Sequence, residues 1–304
     1  MRSENWVRGS ALRTDPLSIY ALRRRTHDVS AQQVFDSCFH NHALTKNRQC
    51  FCALHLKLFY GVSDRGVWSV GSRYIVKDRG ITPPNFEAQS IHFLHDATTI
   101  PVPAILAQWN EESDGASLAI MDRIDGVTLD EAWRDLPQAD RERVAKQIVD
   151  LLNQLRGLQS NRLQSLGGQP LYSAFLFRNG FGLPHGPFQS DEEVWEDMVQ
   201  ALKKVPDKAC RHLRQRMPPC APYTFTHGDL STSNIMVKDG NVVGIIDWEA
   251  SGFFPVWWEF VATSIYQDDK DREWKMLLEK CMAQEYTKAK EFWLDYFSLS
   301  HYPD

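Results

Sequence analysis

The chain is predicted to fold as an α+β protein, strand-rich in its first part and helical in its second. Three observations carry that expectation. Short apolar runs separated by glycine turns fill residues 49–77. Helix-start signatures and a long 3.6-residue apolar stripe mark residues 128–202. Between residues 226 and 247 a polar loop enters two short apolar strands that end on an aspartate.

The chain has 304 residues, 43% hydrophobic and 24% charged, which is ordinary globular composition with room for about two domains. A net charge of -5 and a pI near 6.1 give no basic footprint for nucleic acid or an anionic membrane. Six cysteines are too few for a disulfide scaffold. The first residues lack the apolar core of a signal peptide, and the longest apolar candidate, 250–266, is broken by Pro255 and Glu259. A cytoplasmic protein with reduced thiols is the expectation.

Residues 1–48 carry little pattern. Arg23-Arg24-Arg25 reads as a solvated basic triplet, and 31–42 as a short helix with Val34, Phe35, Cys38 and Phe39 inward. Cys38, His40, His42, Cys50, Cys52 and His55 invite a zinc reading. However, Cys50-x-Cys52 is not a knuckle spacing, and Cys50, Cys52, Leu54, Leu56 and Leu58 alternate like one face of a strand. Val67–Val70 and Tyr74–Lys77, joined by Gly71-Ser72-Arg73, fit a hairpin. Lys77 closes an apolar strand, either as an edge charge or as a positioned ammonium.

After a loop with Pro83-Pro84, residues 86–95 read as a helix with Glu87 in its first turn. A carboxylate there suits the helix dipole, or it could partner Lys77. Ile100–Leu106 reads as extended because of its prolines. The apolar Leu118–Met121 runs into Asp122–Gly126, a hinge and the expected domain boundary.

Beyond Gly126 the pattern turns helical. Thr128 and Glu131 form one capping box, Ser190 and Glu193 another. Val144, Ile148, Leu151, Leu152 and Leu155 make a core-facing helical stripe. Phe175–Phe188 is a long Gly/Pro/Phe-rich loop, either functional or an irregular wrap. Ile235–Val237 and Val242–Ile246 read as a hairpin with Asn234 on its entry and Asp247 on its exit, so these two side chains should end side by side. From Pro255 to Phe297 the chain reads as helical, interrupted by the charged run 268–273. That run is a solvated face or an attractor for a cationic substrate.

Asp229, Asn234 and Asp247 supply a carboxylate, an amide and a second carboxylate. These are groups for hard-cation binding and proton acceptance, as phosphoryl transfer with Mg²⁺ requires. The plainer alternative is that they cap local backbone.

At these residues the chain resembles the aminoglycoside phosphotransferase-like branch of the protein-kinase-like superfamily, the phosphotransferase enzyme family. His227-Gly228-Asp229-Leu230-Ser231-Thr232-Ser233-Asn234 matches its H-G-D-x-x-x-x-N catalytic loop, and Ile246-Asp247-Trp248-Glu249 its metal-binding aspartate. Val76-Lys77 resembles the phosphate-binding lysine on the third strand, and Glu87 the acidic residue of the following helix. Ile100–Pro103 and Ser251–Phe260 resemble segments of fungal members. No G-x-G-x-x-G precedes Lys77, and the interval from Lys77 to Glu87 holds two prolines, both departures from the kinase pattern.

The resemblance implies a bilobal protein-kinase-like α+β fold. Its small β-rich N-terminal lobe would span 1–122 and its larger, mainly helical C-terminal lobe 123–304. It implies transfer of the γ-phosphoryl group of ATP to a hydroxyl of a small molecule, with Mg²⁺ and without a nucleic-acid or membrane partner. Asp229 would accept or orient the hydroxyl proton, and Asn234 and Asp247 would hold the metal. Lys77 would contact phosphates, Glu87 would orient Lys77, and Met121 to Ile124 would line the adenine pocket. His227 would brace the loop. Aminoglycoside, choline-like amine, sugar and amino-acid hydroxyls all suit related enzymes. The rival expectation is a pseudokinase or nucleotide-binding interaction protein with little or no activity.

Overall fold

The computed structural model describes residues 56–62, 65–80, 84–110, 116–172, 175–178, 182–283 and 286–301. The helix expected over 31–42 and all six zinc-tempting cysteines and histidines, Cys38 to His55, lie outside them. The chain divides into two compact units. One takes the described residues up to Gly80 together with 106–121, the other residues from 84 to 105 and from Asp122 onward. The sequence boundary at 122 is a single cut; here the segment carrying Glu87 is grouped with the second unit.

The first unit is a five-stranded sheet. Strands β1 (Leu56–Val62), β2 (Arg65–Val70), β3 (Tyr74–Asp78), β4 (Ile105–Asn110) and β5 (Ser117–Asp122) stand in the order β1-β2-β3-β5-β4. The β2–β3 hairpin follows the sequence pattern and pairs Val67 with Lys77 and Trp68 with Val76. Val76 and Ile120 form its small core against Trp68, Val70, Tyr74, Ala107 and Trp109. Strand β3 lies between β2 and β5, so Lys77 is not an edge charge. It is 5% exposed, followed by buried Asp78 and Arg79. The edge-strand reading of this lysine is therefore corrected.

The second unit holds helix α1 (Glu87–Ala97) and everything from the hinge onward. Ala88, Ser90, Ile91 and Leu94 of α1 are buried, and Ser90 Oγ accepts a 2.9 Å hydrogen bond from Ser251 Oγ. Both N-cap bonds form, but only the second completes its capping box. Thr128 Oγ1 accepts from the Glu131 N–H at the start of α2 (Leu129–Ala132). The Ser190–Glu193 pair makes both reciprocal bonds before α4 (Asp191–Met198). Helix α3 (Gln138–Gly157) buries Val144, Ala145, Ile148, Leu152 and Leu155. That stripe packs against β8 (Tyr223–Thr226), β10 (Asn241–Ile245) and α7 (Asp269–Cys281).

Two small antiparallel sheets frame the loop 227–234. The hairpin β9 (Ile235–Lys238) and β10 pairs with β6 (Val127–Thr128), and β8 lies between β7 (Gln159–Ser160) and β11 (Gly252–Pro255). All four residues of β8 and all four of β11 are buried. Helices α5 (Asp207–Arg216), α6 (Trp258–Ala262) and α8 (Thr287–Ser300) complete the unit. Of the Gly/Pro/Phe-rich stretch, His185 and Phe188 are tied down by bridges Leu171–His185 and Leu163–Phe188, with buried His185 stacked on Phe177 and bonded to Asp197 at 2.9 Å. No helix among the described residues is long and apolar enough to cross a membrane.

Candidate active site

The loop 227–234 leaves the buried strand β8 and enters β9, so its two ends are fixed by core packing before any polar contact forms. Its first residue is the anchor. His227 is fully buried, and its backbone N–H donates to Glu259 Oε2 at 2.8 Å. The Gly228 N–H shares that carboxylate oxygen at 3.3 Å. The ring faces two partners, the Ile246 carbonyl on Nε2 at 3.0 Å and the Asp229 N–H on Nδ1 at 3.2 Å. An N–H donor facing Nδ1 requires that nitrogen to accept, so Nε2 carries the proton and the imidazole is neutral. Burial also pushes the imidazole below its ordinary range. With both nitrogens occupied, His227 braces the loop as expected and has no free site for proton transfer.

Gly228 takes φ 82°, and a Cβ there would stand 3.1 Å from the Ala250 carbonyl oxygen. Gly228→Ala should therefore cost about 1–3 kcal/mol, measured by urea unfolding, because the left-handed backbone and the close carbonyl both oppose a side chain.

Asp229 is three-quarters buried, with its side chain 25% exposed. Asn234 Nδ2 donates both to its backbone carbonyl at 2.9 Å and to Oδ2 at 3.2 Å. On the other side Lys275 Nζ stands 3.9 Å from Oδ1. Burial pushes the carboxyl up to about 6, with the charges of Asp247 and Asp271 adding to the rise and Lys275 and Asn234 opposing it.

Asn234 and Asp247 flank the hairpin as the sequence reading requires. The Ile246 N–H donates to the Asn234 carbonyl at 3.0 Å, one residue before Asp247. With Nδ2 turned to Asp229, the amide oxygen of Asn234 is the acceptor left over. Asp247 holds φ 66° and ψ 60°, a left-handed backbone at the start of a short 3₁₀ turn, Trp248–Ala250. One amide oxygen and one carboxylate suit a small hard cation that keeps several waters and binds phosphate oxygens. Among the described residues no group of three or more His, Cys, Asp or Glu side chains could hold a metal by itself.

The residues 60–290 match the model of the phosphotransferase enzyme family. The chain belongs to the phosphotransferase enzyme family. Two curated relatives are similar, both aminoglycoside 3′-phosphotransferases, from Enterococcus faecalis at 30% identity and from Staphylococcus aureus at 29%. Each match runs over 172 residues, 56% of this chain and 61% of the relative's length. Among solved structures, the streptomycin–ATP ternary complex of APH(2″)-IIa aligns at TM-score 0.54 and 16% identity over 90% of each chain. An apo thermostable mutant of aminoglycoside phosphotransferase APH(4)-Ia aligns at 0.53 and 15%, over 80% of this chain and 84% of that one. The α+β kinase-like fold of those structures is the fold of this family member.

Within this family member the expected site residues separate by unit. Asp229, Asn234 and Asp247 come together in the second unit. Glu87 also lies there, 4% exposed at the head of α1, where its N–H donates to Asn85 Oδ1 at 2.7 Å. It is near enough to His227 for its charge to favour the imidazolium. Ile124 packs beside Gly244 in the same unit, at 2.2 Å from the place a Cβ would take. Lys77 and buried Met121 belong to the first unit, at the ends of β3 and β5.

Three residues outside the loop 227–234 support it, and the sequence reading assigned none of them that role. Glu259 holds the loop backbone, and Asp271 and Lys275 of α7 stand behind Asp229. Glu259 could have been found as a lone acid in an otherwise apolar run, Phe253 to Ala262. The acidic run 268–273 proves largely committed to structure. Asp268 caps α7, Asp271 accepts from Thr232 and Gln267 N–H groups, and Glu273 binds Trp133 and Arg134.

Proposed function

We propose that this protein transfers the γ-phosphoryl group of ATP to a hydroxyl of a small molecule, with Asp229 as base and with Asn234 and Asp247 as the Mg²⁺ ligands. The observation that carries this reading is Asp229 itself, a mostly buried carboxylate held by Asn234 on one side and facing a lysine on the other. Its raised proton affinity suits acceptance of a hydroxyl proton near neutral pH.

The chemistry follows from these residues. The acceptor hydroxyl gives its proton to the Asp229 carboxylate as its oxygen bonds to the γ-phosphorus, and the bond to the ADP oxygen breaks. Mg²⁺, when bound through Asn234 and Asp247, supplies charge neutralisation for the phosphate oxygens. Lys77 contacts the phosphates, Glu87 orients it, and Met121 to Ile124 line the adenine site; the family resemblance supports these three roles. No protein group becomes covalently bonded, so positioning and electrostatics supply the acceleration. Membership of the family and the ATP in the name of a structural neighbour support the donor. The names of both curated relatives support an aminoglycoside-like acceptor.

Two measurements test this. ATP with Mg²⁺ at a hundredfold excess over Kd should stabilise the protein by about 2.7 kcal/mol, and Asp247→Asn should remove most of that thermal shift. Mass spectrometry across a library of aminoglycosides, sugars and amino alcohols should then find a phosphorylated product. Absence of any nucleotide-dependent shift in the wild type would sink the reading.

A further inference from the structure

Helix α7 grips the loop 227–234 with one face. Asp271, Trp274 and Lys275, at i, i+3 and i+4, share that face. Asp271 Oδ1 accepts from the Thr232 N–H at 2.9 Å. Trp274 Nε1 donates to the Leu230 carbonyl at 2.9 Å. Lys275 reaches the Asp229 carboxylate at 3.9 Å, with its own ammonium held by Asp271 Oδ2 at 3.1 Å and by the Ile265 carbonyl. Two contacts fix backbone. The third is aimed at the one side chain to which the proposed reaction assigns the proton.

A lysine that is only 4% exposed is expensive to keep charged unless it does something a neutral side chain could not. Asp271 is needed to accept the Thr232 and Gln267 N–H groups, and a lysine serving only to neutralise it would face that carboxylate alone. Its ammonium instead sits between two carboxylates, one buried and structural, the other partly exposed and facing the loop's open side. The ammonium is bonded to the Ile265 carbonyl, paired with Asp271 at 3.1 Å and in longer ionic contact with Asp229 at 3.9 Å.

We propose that Lys275 is a positioning residue for phosphoryl transfer, holding the Asp229 carboxylate in the rotamer that also meets Asn234. The inference rests on Asp229 being the base proposed above. Asn234 and Lys275 pin opposite oxygens of one carboxylate, Oδ2 and Oδ1. Loss of either leaves the group free to turn about its χ angles, and a displacement of about 1 Å at a reacting group can cost about a hundredfold in rate.

The test uses the full chain and ATP hydrolysis with Mg²⁺, water serving as the acceptor, beside wild type and Asp229→Asn. Lys275→Met should lower kcat about 10–100-fold with the KM for ATP within about threefold of wild type. Lys275→Arg, which restores a cation, should recover part of that loss. Because a lone Asp271 could unfold the protein, Asp271→Asn/Lys275→Met is the companion variant. It removes both buried charges and keeps an acceptor for the Thr232 N–H. A crystal structure of the double variant should show Asp229 turned away from Asn234. A folded double variant with wild-type kcat, or with Asp229 unmoved, overturns the inference and leaves the phosphotransferase reading intact. A wild type as inactive as Asp229→Asn overturns both.

Discussion

Asp229→Asn should lower the phosphoryl-transfer rate by about two to four orders of magnitude, the range that general-base catalysis supplies. ATP with Mg²⁺ should still raise its melting temperature, because Asn234 and Asp247 are untouched. The same carboxylate sets the acid limb of the wild-type profile. Burial lifts it to about 6, so the ionised, proton-accepting form dominates above that pH. About half is ionised at pH 6 and only about a tenth at pH 5, so kcat/KM should fall about fivefold between pH 6 and pH 5.

The stability sign is opposite. A carboxyl whose folded value exceeds its unfolded 3.8 favours folding below that lower value and loses this contribution as pH rises through about 6. Asp229→Asn should therefore leave the fold as stable as wild type at pH 8, or more so. A variant that is both inactive and unfolded would show the residue to be structural instead.

Glu259→Ala should be the most destabilising single change in the loop's support. It strands the His227 and Gly228 N–H groups without an acceptor, the first at a residue with no solvent exposure. At about 1–3 kcal/mol for each buried donor left unmade, the loss should reach about 2–6 kcal/mol in urea unfolding. Glu259→Gln keeps an acceptor oxygen and should cost about 1–2 kcal/mol, the difference between a charge-assisted and a neutral bond. Burial already pushes the Glu259 carboxyl upward, with His227 and its own two N–H partners opposing. If Ala and Gln at this position proved equally stable, the two backbone bonds would have no weight.

Much of this site was legible in the sequence, for identifiable reasons. The hairpin 235–246 announced itself by two short apolar runs around a Lys238–Asn241 turn, and it delivered Asn234 and Asp247 to adjacent positions. The two N-caps were legible because their bonds are local. Strands β8 and β11 were not. Tyr223–Thr226 alternates over only four residues, too short a run to stand out, and Gly252–Pro255 carries a proline that argues against a strand. Lys77 was misread in isolation because a strand's place in its sheet depends on pairing with β5, about forty residues later. Lys275 was illegible for the same reason, with Asp229 46 residues back along the chain, and Glu259 stood out only as a lone acid whose partners lie 31–32 residues back.

Asp247 has one consequence of its own. Its left-handed backbone admits few residue types without strain, chiefly glycine, asparagine and aspartate. Of these three, aspartate alone carries a negative charge. A conformational filter and a chemical demand thus converge on one letter of the alphabet. The turn selects for shape, the proposed cation selects for charge, and only their intersection keeps both. Any homologous chain that resolves the conflict differently, by glycine or asparagine, would keep this turn while giving up the charge.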